Sequence, residues 1–236
     1  MSSRSAQDWL VCPHIEKRMT PILGAIHISP LWRTTLAVVE EQPRGRRAEV
    51  LAAAIEVAGT MGIGGLTYRS VDAAANVPSG TTSNHFRTRD ALLLGAILEI
   101  EKLRRAFWRA LVTEINPTTV SDLVGIGTAY ANGAVGAMST RVRAYMALLM
   151  EGWSHPELRE PLQRGRDAQI PRTLHLMCKV DPKTPQLHAE IFQDYLTGII
   201  YQQLANPVAD FNPRPGIEAL LTALVTPPQT PRAAQR

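Results

Sequence analysis

The sequence predicts an all-α protein, and three observations predict it. Apolar residues recur three and four positions apart along most of the chain, no segment alternates apolar and polar residues, and Gly, Pro and Asn clusters punctuate the periodic runs. Ala and Leu are abundant, which suits helices better than strands. A hydrophobic share of 45% is enough for a real core, and a charged share of 19% is too small for a chain that stays unfolded.

Residues 1–43 mix Trp9, Trp32, Pro13, Pro21, Pro30 and Pro43 with no sustained period. They read as a poorly ordered extension, with a short helix possible around Leu31–Glu41. From Arg46 the pattern changes. Leu51, Ala54, Ile55, Ala58 and Met61 form one apolar stripe, and Gly62, Gly64 and Gly65 are expected to stop this first helix. Thr67 is a good N-cap for a second, short helix over 68–75, although Ser70 stands where a capping box usually has Glu. Asn76 suits the left-handed end of that helix.

Pro78-Ser79-Gly80 opens a third helix, through about Phe86. Thr88 caps a fourth, whose stripe is Leu92, Ala96, Ile100, Leu103, Phe107 and Leu111. Beyond Asn116-Pro117, helices are expected over 119–137, 140–152, 156–178, 185–205 and 214–225. The tail 227–236 is rich in Pro, Gln and Arg and is expected to be disordered.

Two short helices joined by a tight turn and followed by a long helix make a helix-turn-helix unit. Its third helix carries Ser79, Thr81, Thr82, Ser83, Asn84 and His85, small polar side chains that can meet base edges or phosphates in a major groove. Gly80, lacking a Cβ, would let the backbone approach a phosphate. Val77 and Phe86 are the apolar pins expected to hold this helix. Arg44, Arg46 and Arg47 form an arm just before the first helix, suited to phosphates or a minor groove. The stretch from Arg44 to Arg89 holds six arginines (44, 46, 47, 69, 87, 89) against three acids (Glu49, Glu56, Asp72), so it carries most of the chain's formal net charge of +4. Net charge by itself is compatible with nucleic acid without being diagnostic of it.

The residues Thr67-Tyr68-Arg69-Ser70-Val71 and Ala75-Asn76-Val77-Pro78-Ser79-Gly80-Thr81-Thr82-Ser83-Asn84-His85-Phe86, continued by Arg87-Thr88-Arg89-Asp90-Ala91-Leu92, resemble the helix-turn-helix signature of the TetR (tetracycline-repressor) family. A second stretch, Arg141 and Arg143 followed by Glu151 and His155-Pro156-Glu157-Leu158, resembles a segment common in that family's sensor domains. Within the signature Ser83 stands in place of Tyr, Thr82 in place of an apolar residue, Asp72 in place of a small one and Asn76 in place of Gly.

The resemblance implies a DNA-binding domain over 44–90 and a helical ligand-binding and dimerisation domain over 91–226. By similarity Arg69, Thr81, Ser83, His85 and Arg89 fall where the family contacts DNA, and Thr67 lies beside them. The implied partners are double-stranded operator DNA, a small-molecule effector and a second copy of the chain. Expected pocket residues are Tyr130, Met146, Met150, Trp153, Met177 and Phe192. The last two helices, with Ile191, Tyr195, Ile199, Ile200 and Leu204, then Ile217, Leu220, Leu221 and Leu224, could form a four-helix interface between two chains.

Other function classes are weakly supported. The chain holds no G-x-S-x-G, H-E-x-x-H or phosphate loop, so no enzyme and no cofactor is expected. Glu151 with His155, and His175 with Cys178, are ligand pairs without a third member, so no metal is expected. Cys12 and Cys178 make no disulfide framework. No signal peptide is evident, and the most apolar candidate for a membrane span, near 92–98, soon meets Glu99, Glu101 and Lys102. A cytoplasmic protein is expected.

Overall fold

The computed structural model describes residues 45–114 and 116–225, with the side chains of all of these except 107–114. Arg44, the expected extension and the expected tail lie outside the described residues. The described residues contain helices and no strand: α1 (Arg46–Gly65), α2 (Tyr68–Ala74), α3 (Thr81–His85), α4 (Arg89–Glu114), α5 (Val120–Val135), α6 (Ser139–Glu151), α7 (Pro156–Asp167), α8 (Ile170–Val180), α9 (Gln186–Ala205) and α10 (Arg214–Leu224).

Most boundaries fall within two or three residues of the sequence expectation, and three details differ. The expected helix over 156–178 is two helices, α7 and α8. Pro171 in the first turn of α8 has no N–H to continue the ladder, and the chain turns at Ala168–Gln169. The first helix does not end cleanly at its glycines. Gly62 interrupts it with φ +70°, a conformation open to glycine, and one further turn follows. Met61, expected in the apolar stripe, is 63% exposed and lies over Gly65 at the edge of the stripe.

Two cores hold the chain together. The first joins α1, α2, Phe86 and the front half of α4 to Ala144 and Leu148 of α6 and to Leu158 and Leu162 of α7. Leu51, Leu92, Leu93, Ile97 and Leu148 are essentially sealed from solvent, each contributing about 1.5–3 kcal/mol by burial. This core crosses the expected boundary at residue 90. Helices α1 and α6 meet at backbone distance: a Cβ on Gly59 would lie 2.1 Å from the Thr140 carbonyl oxygen. The second core is built from α5, α8, α9 and α10, with Phe192, Leu196, Ile217 and Leu221 at its centre.

Among the described residues one helix, α1, is long and apolar enough to cross a membrane by length and composition. Half of it is buried inside the fold, as a core helix would be.

Candidate functional site

The tip of the molecule is α2, the turn and α3. Thr67 caps α2: its hydroxyl accepts from the Ser70 N–H at 3.1 Å, and the Ser70 hydroxyl accepts from the Thr67 N–H at 2.9 Å. The capping box is therefore complete, contrary to the expectation from its missing Glu. A hydroxyl at this position supplies the acceptor a carboxylate would, and also donates to the Gly65 carbonyl. Asn76 ends α2 in the left-handed region, at φ 52°.

The turn is fastened by Asp72, which is only 4% exposed. Its carboxylate accepts from the Gly80 N–H at 2.8 Å, the Thr82 N–H at 2.7 Å and the Thr82 hydroxyl at 2.5 Å. Burial pushes this carboxyl up, but the three donors together outweigh it and hold it below the ordinary value. The two departures from the family signature, Asp72 and Thr82, are thus one interaction. A carboxylate on α2 and a hydroxyl on α3 take the place of apolar packing and fix the angle between the helices.

This arrangement corrects two expectations. Thr82 is fully buried and cannot reach DNA, because its hydroxyl belongs to Asp72. Gly80, at φ +89°, has room for close approach, but its N–H is already committed to Asp72. Thr81 is half-buried and donates to the Pro78 carbonyl at 2.6 Å, while Ser83 donates to the Gly80 carbonyl at 2.9 Å. Ser79, Asn84 and His85 are exposed, as are Thr67 and Arg69 at the start of α2. Phe86 is 3% exposed and anchors the end of α3, and Val77 is half-buried.

The arginines divide. Arg69 is exposed. Arg46 pairs with Glu49 at 2.8 Å on the surface, and the Arg47 guanidinium lies 4.9 Å from the centre of the Phe86 ring. Arg89 donates to the carbonyls of Ile63 and Leu66, each at 2.8 Å, and so ties the start of α4 to the end of α1.

The second feature is a cavity of about 590 Å³ enclosed by α4 through α9. Its walls are apolar, including Ile100, Leu103, Leu149, Leu162, Ile170 and Leu196. Of the six expected pocket residues, Tyr130, Met150 and Trp153 line it. Met146 does not. Met177 and Phe192 are core residues, 1% and 7% exposed, bordering only a void of about 20 Å³ behind Tyr130. Residues at apolar helical positions look alike in sequence whether they face a core or a cavity. Met150 and Trp153 are largely exposed and so stand at the rim, and the lining also holds the Arg166–Asp194 ion pair at 2.9 Å.

The polar end of the cavity was not legible in the sequence. Arg104 lies against the Tyr145 ring at 4.9 Å and donates to Glu101, which is 4% exposed. Tyr130 and Tyr201 complete this end. Burial pushes all three phenols up, against the pull of Arg104. Burial also works against the charge of Arg104, but Tyr145 and Glu101 outweigh it and raise its pKa, so it stays protonated. Gly165 of α7 makes the approach possible, since a Cβ there would fall 2.2 Å from the Glu101 carboxylate.

At the junction of tip and cavity, His155 stands among three acids: Asp90 at 3.2 Å, Glu157 at 3.1 Å and Glu151 at 3.4 Å. Glu151 was the partner expected from its spacing. Asp90, distant in sequence, is brought there by the packing of α4 against α7. Asp90, His155 and Glu157 form the one cluster of three potential metal ligands among the described residues.

A family described as "Tetracyclin repressor-like, C-terminal domain" matches residues 118–227. The multidrug binding protein EbrR, in a complex with ethidium, has the same fold at 26% identity and a TM-score of 0.57, covering 77% of this chain and 99% of that one. A member of the TetR family, SCO1917 from Streptomyces coelicolor A3, is similar at 25% identity and a TM-score of 0.59, covering 77% and 98%. The C-terminal part of the chain is thus similar to tetracycline repressor-like domains, and its described fold to that of a TetR-family member. No curated protein sequence matches this chain. The fold shared with SCO1917 has the helix-turn-helix at one end and the matched C-terminal domain around the cavity.

Proposed function

We propose that this protein is a cytoplasmic, ligand-responsive repressor of the TetR family. As a homodimer it would hold operator DNA through the tip built from α2 and α3 and release it when a small molecule fills the 590 Å³ cavity. The observation that carries the reading is the pairing of a rigidly fastened polar helix with a drug-sized apolar cavity, joined by α4 and by one shared core. EbrR, described as a multidrug binding protein, supports the cavity's assignment to a small molecule.

Direct base readout falls to Asn84 and His85, which are exposed at the end of α3, and to Ser79 before it. Arg69 and Thr67 at the start of α2, and Arg46 and Arg47 at the start of α1, would hold phosphates, with Arg44 continuing the arm. Thr81 and Ser83 offer hydroxyl oxygens as acceptors while their protons stay on the carbonyls of Pro78 and Gly80 in the turn before α3. Arg89 and Thr82 act by positioning the helices. The dimer would form along α9 and α10, where Leu187, Ile191 and Gly198 face outward on one stripe of α9 and a Cβ on Gly198 meets nothing within 4 Å. In such a dimer the two tips address half-sites about 34–36 Å apart. Effector binding shifts the equilibrium only if the separated-tip state binds the molecule more tightly.

The test is a gel shift with the DNA upstream of the protein's own gene. Asn84→Ala should weaken the specific complex by about 1–3 kcal/mol and leave random DNA unaffected, whereas Arg46→Ala should weaken both and lower the salt slope by about 1. An equal loss on random DNA for Asn84→Ala would remove its readout role. Absence of any salt-dependent binding would end the regulator reading.

A further inference from the structure

The cavity's polar end specifies the chemistry of its occupant. It presents one guanidinium and three phenols (Arg104, Tyr130, Tyr145, Tyr201), while the one carboxylate beside them, Glu101, is already taken by Arg104 and Tyr145. The Arg104 Nε is buried and has no hydrogen-bond partner. A guanidinium carries five N–H donors and no acceptor, and a buried donor left unpaired costs about 1–3 kcal/mol. The remaining charged groups of the lining point the same way: Arg141, Arg159 and Arg166 against Glu190 and Asp194, with Asp194 engaged by Arg166. Around this end the walls are aliphatic and aromatic.

We infer that the cavity takes an extended apolar or polycyclic molecule bearing an anionic oxygen, such as a carboxylate, with that oxygen received by Arg104 and the Tyr201 hydroxyl. The ligand's acceptor completes the set of donors, and its hydrocarbon body fills the space toward Met150 and Trp153. The inference rests on reading the cavity as the effector site. It separates this chain from a pocket selecting organic cations, which would require uncommitted carboxylates at the polar end.

A matched pair of fluorescent probes of the same body and length, pyrene-1-butyrate and 1-pyrenebutylamine, tests it on the full-length protein without DNA. The carboxylate is expected to bind about tenfold more tightly than the amine, the ratio a hydrogen bond to a charged group confers. Tyr201→Phe, which deletes one hydroxyl, should weaken the carboxylate about threefold to tenfold and leave the amine unchanged. The charge-balanced double variant Glu101→Gln with Arg104→Met should bring the two probes to equal affinity. Equal binding of the probes to the wild type, or tighter binding of the amine, overturns the inference. So does a preference that survives both variants, since the selectivity would then reside in the rim arginines. Operator release is read separately. A probe that binds with the expected preference but leaves the gel shift unchanged supports the ligand class and counts against the effector role.

Discussion

The tip and the cavity handle buried polar groups in opposite ways. At the tip the polar groups close on one another: buried Asp72 on Thr82 and Gly80, Thr67 on Ser70, Arg89 on the carbonyls of Ile63 and Leu66. Around the cavity a guanidinium nitrogen is left without a partner and three phenols crowd a single carboxylate. A closed set of hydrogen bonds makes a rigid element that presents its exposed side chains in one geometry. An open set costs stability in the empty protein and returns it when a complementary molecule arrives.

The sharpest way to break this contrast is to open the closed set. Asp72→Ala leaves the Thr82 hydroxyl and N–H and the Gly80 N–H without their acceptor, and should lower unfolding free energy by about 3 kcal/mol, read by denaturant titration. A loss below 1 kcal/mol would mean that water already serves these donors. The seam between the two regions comes next. Gly59→Ala drives a methyl group into the Thr140 carbonyl oxygen and should cost about 2 kcal/mol as α1 and α6 separate. It should also change the coupling between cavity occupancy and DNA binding, which a titration of either ligand against the other would show. Thr82→Val keeps the shape and both backbone donors to Asp72, so calorimetry should find a loss of about 1 kcal/mol.

The smallest effect is acid sensitivity. The Asp72 carboxyl is held below its ordinary value of 3.8, so its contribution is fully present above about pH 4 and lost as pH falls through the lowered folded value. Asp72→Asn should therefore narrow the difference in melting temperature between pH 7 and pH 3. An undiminished difference would place the acid-sensitive group elsewhere.

Much of the fold was legible because it is written locally. Helix starts at Thr67 and Thr88, the left-handed turn at Asn76 and the placement of Phe86 all follow from residues within a few positions of one another. The error at 156–178 was also local: Pro171 breaks a helix that Pro161, inside α7, does not. The site was only half legible. The motif gave the order of polar residues on α3 but not their engagement, so Thr82 and Gly80 read as DNA-facing when Asp72, eight and ten residues back, holds them. In the sequence Asp72 stands out only as a departure from the signature.

By itself, then, the sequence determined the helical class, the order of the elements and the place of the helix-turn-helix, because capping, periodicity and turn chemistry act over three or four residues. Only the tertiary structure decided which apolar residues face a cavity instead of a core, and that Arg104, Glu101, Tyr130, Tyr145 and Tyr201 meet at one point. Those residues come from four helices, α4, α5, α6 and α9, spread over a hundred positions of the chain. Nothing in a local pattern records where packing will leave space or bring distant donors together.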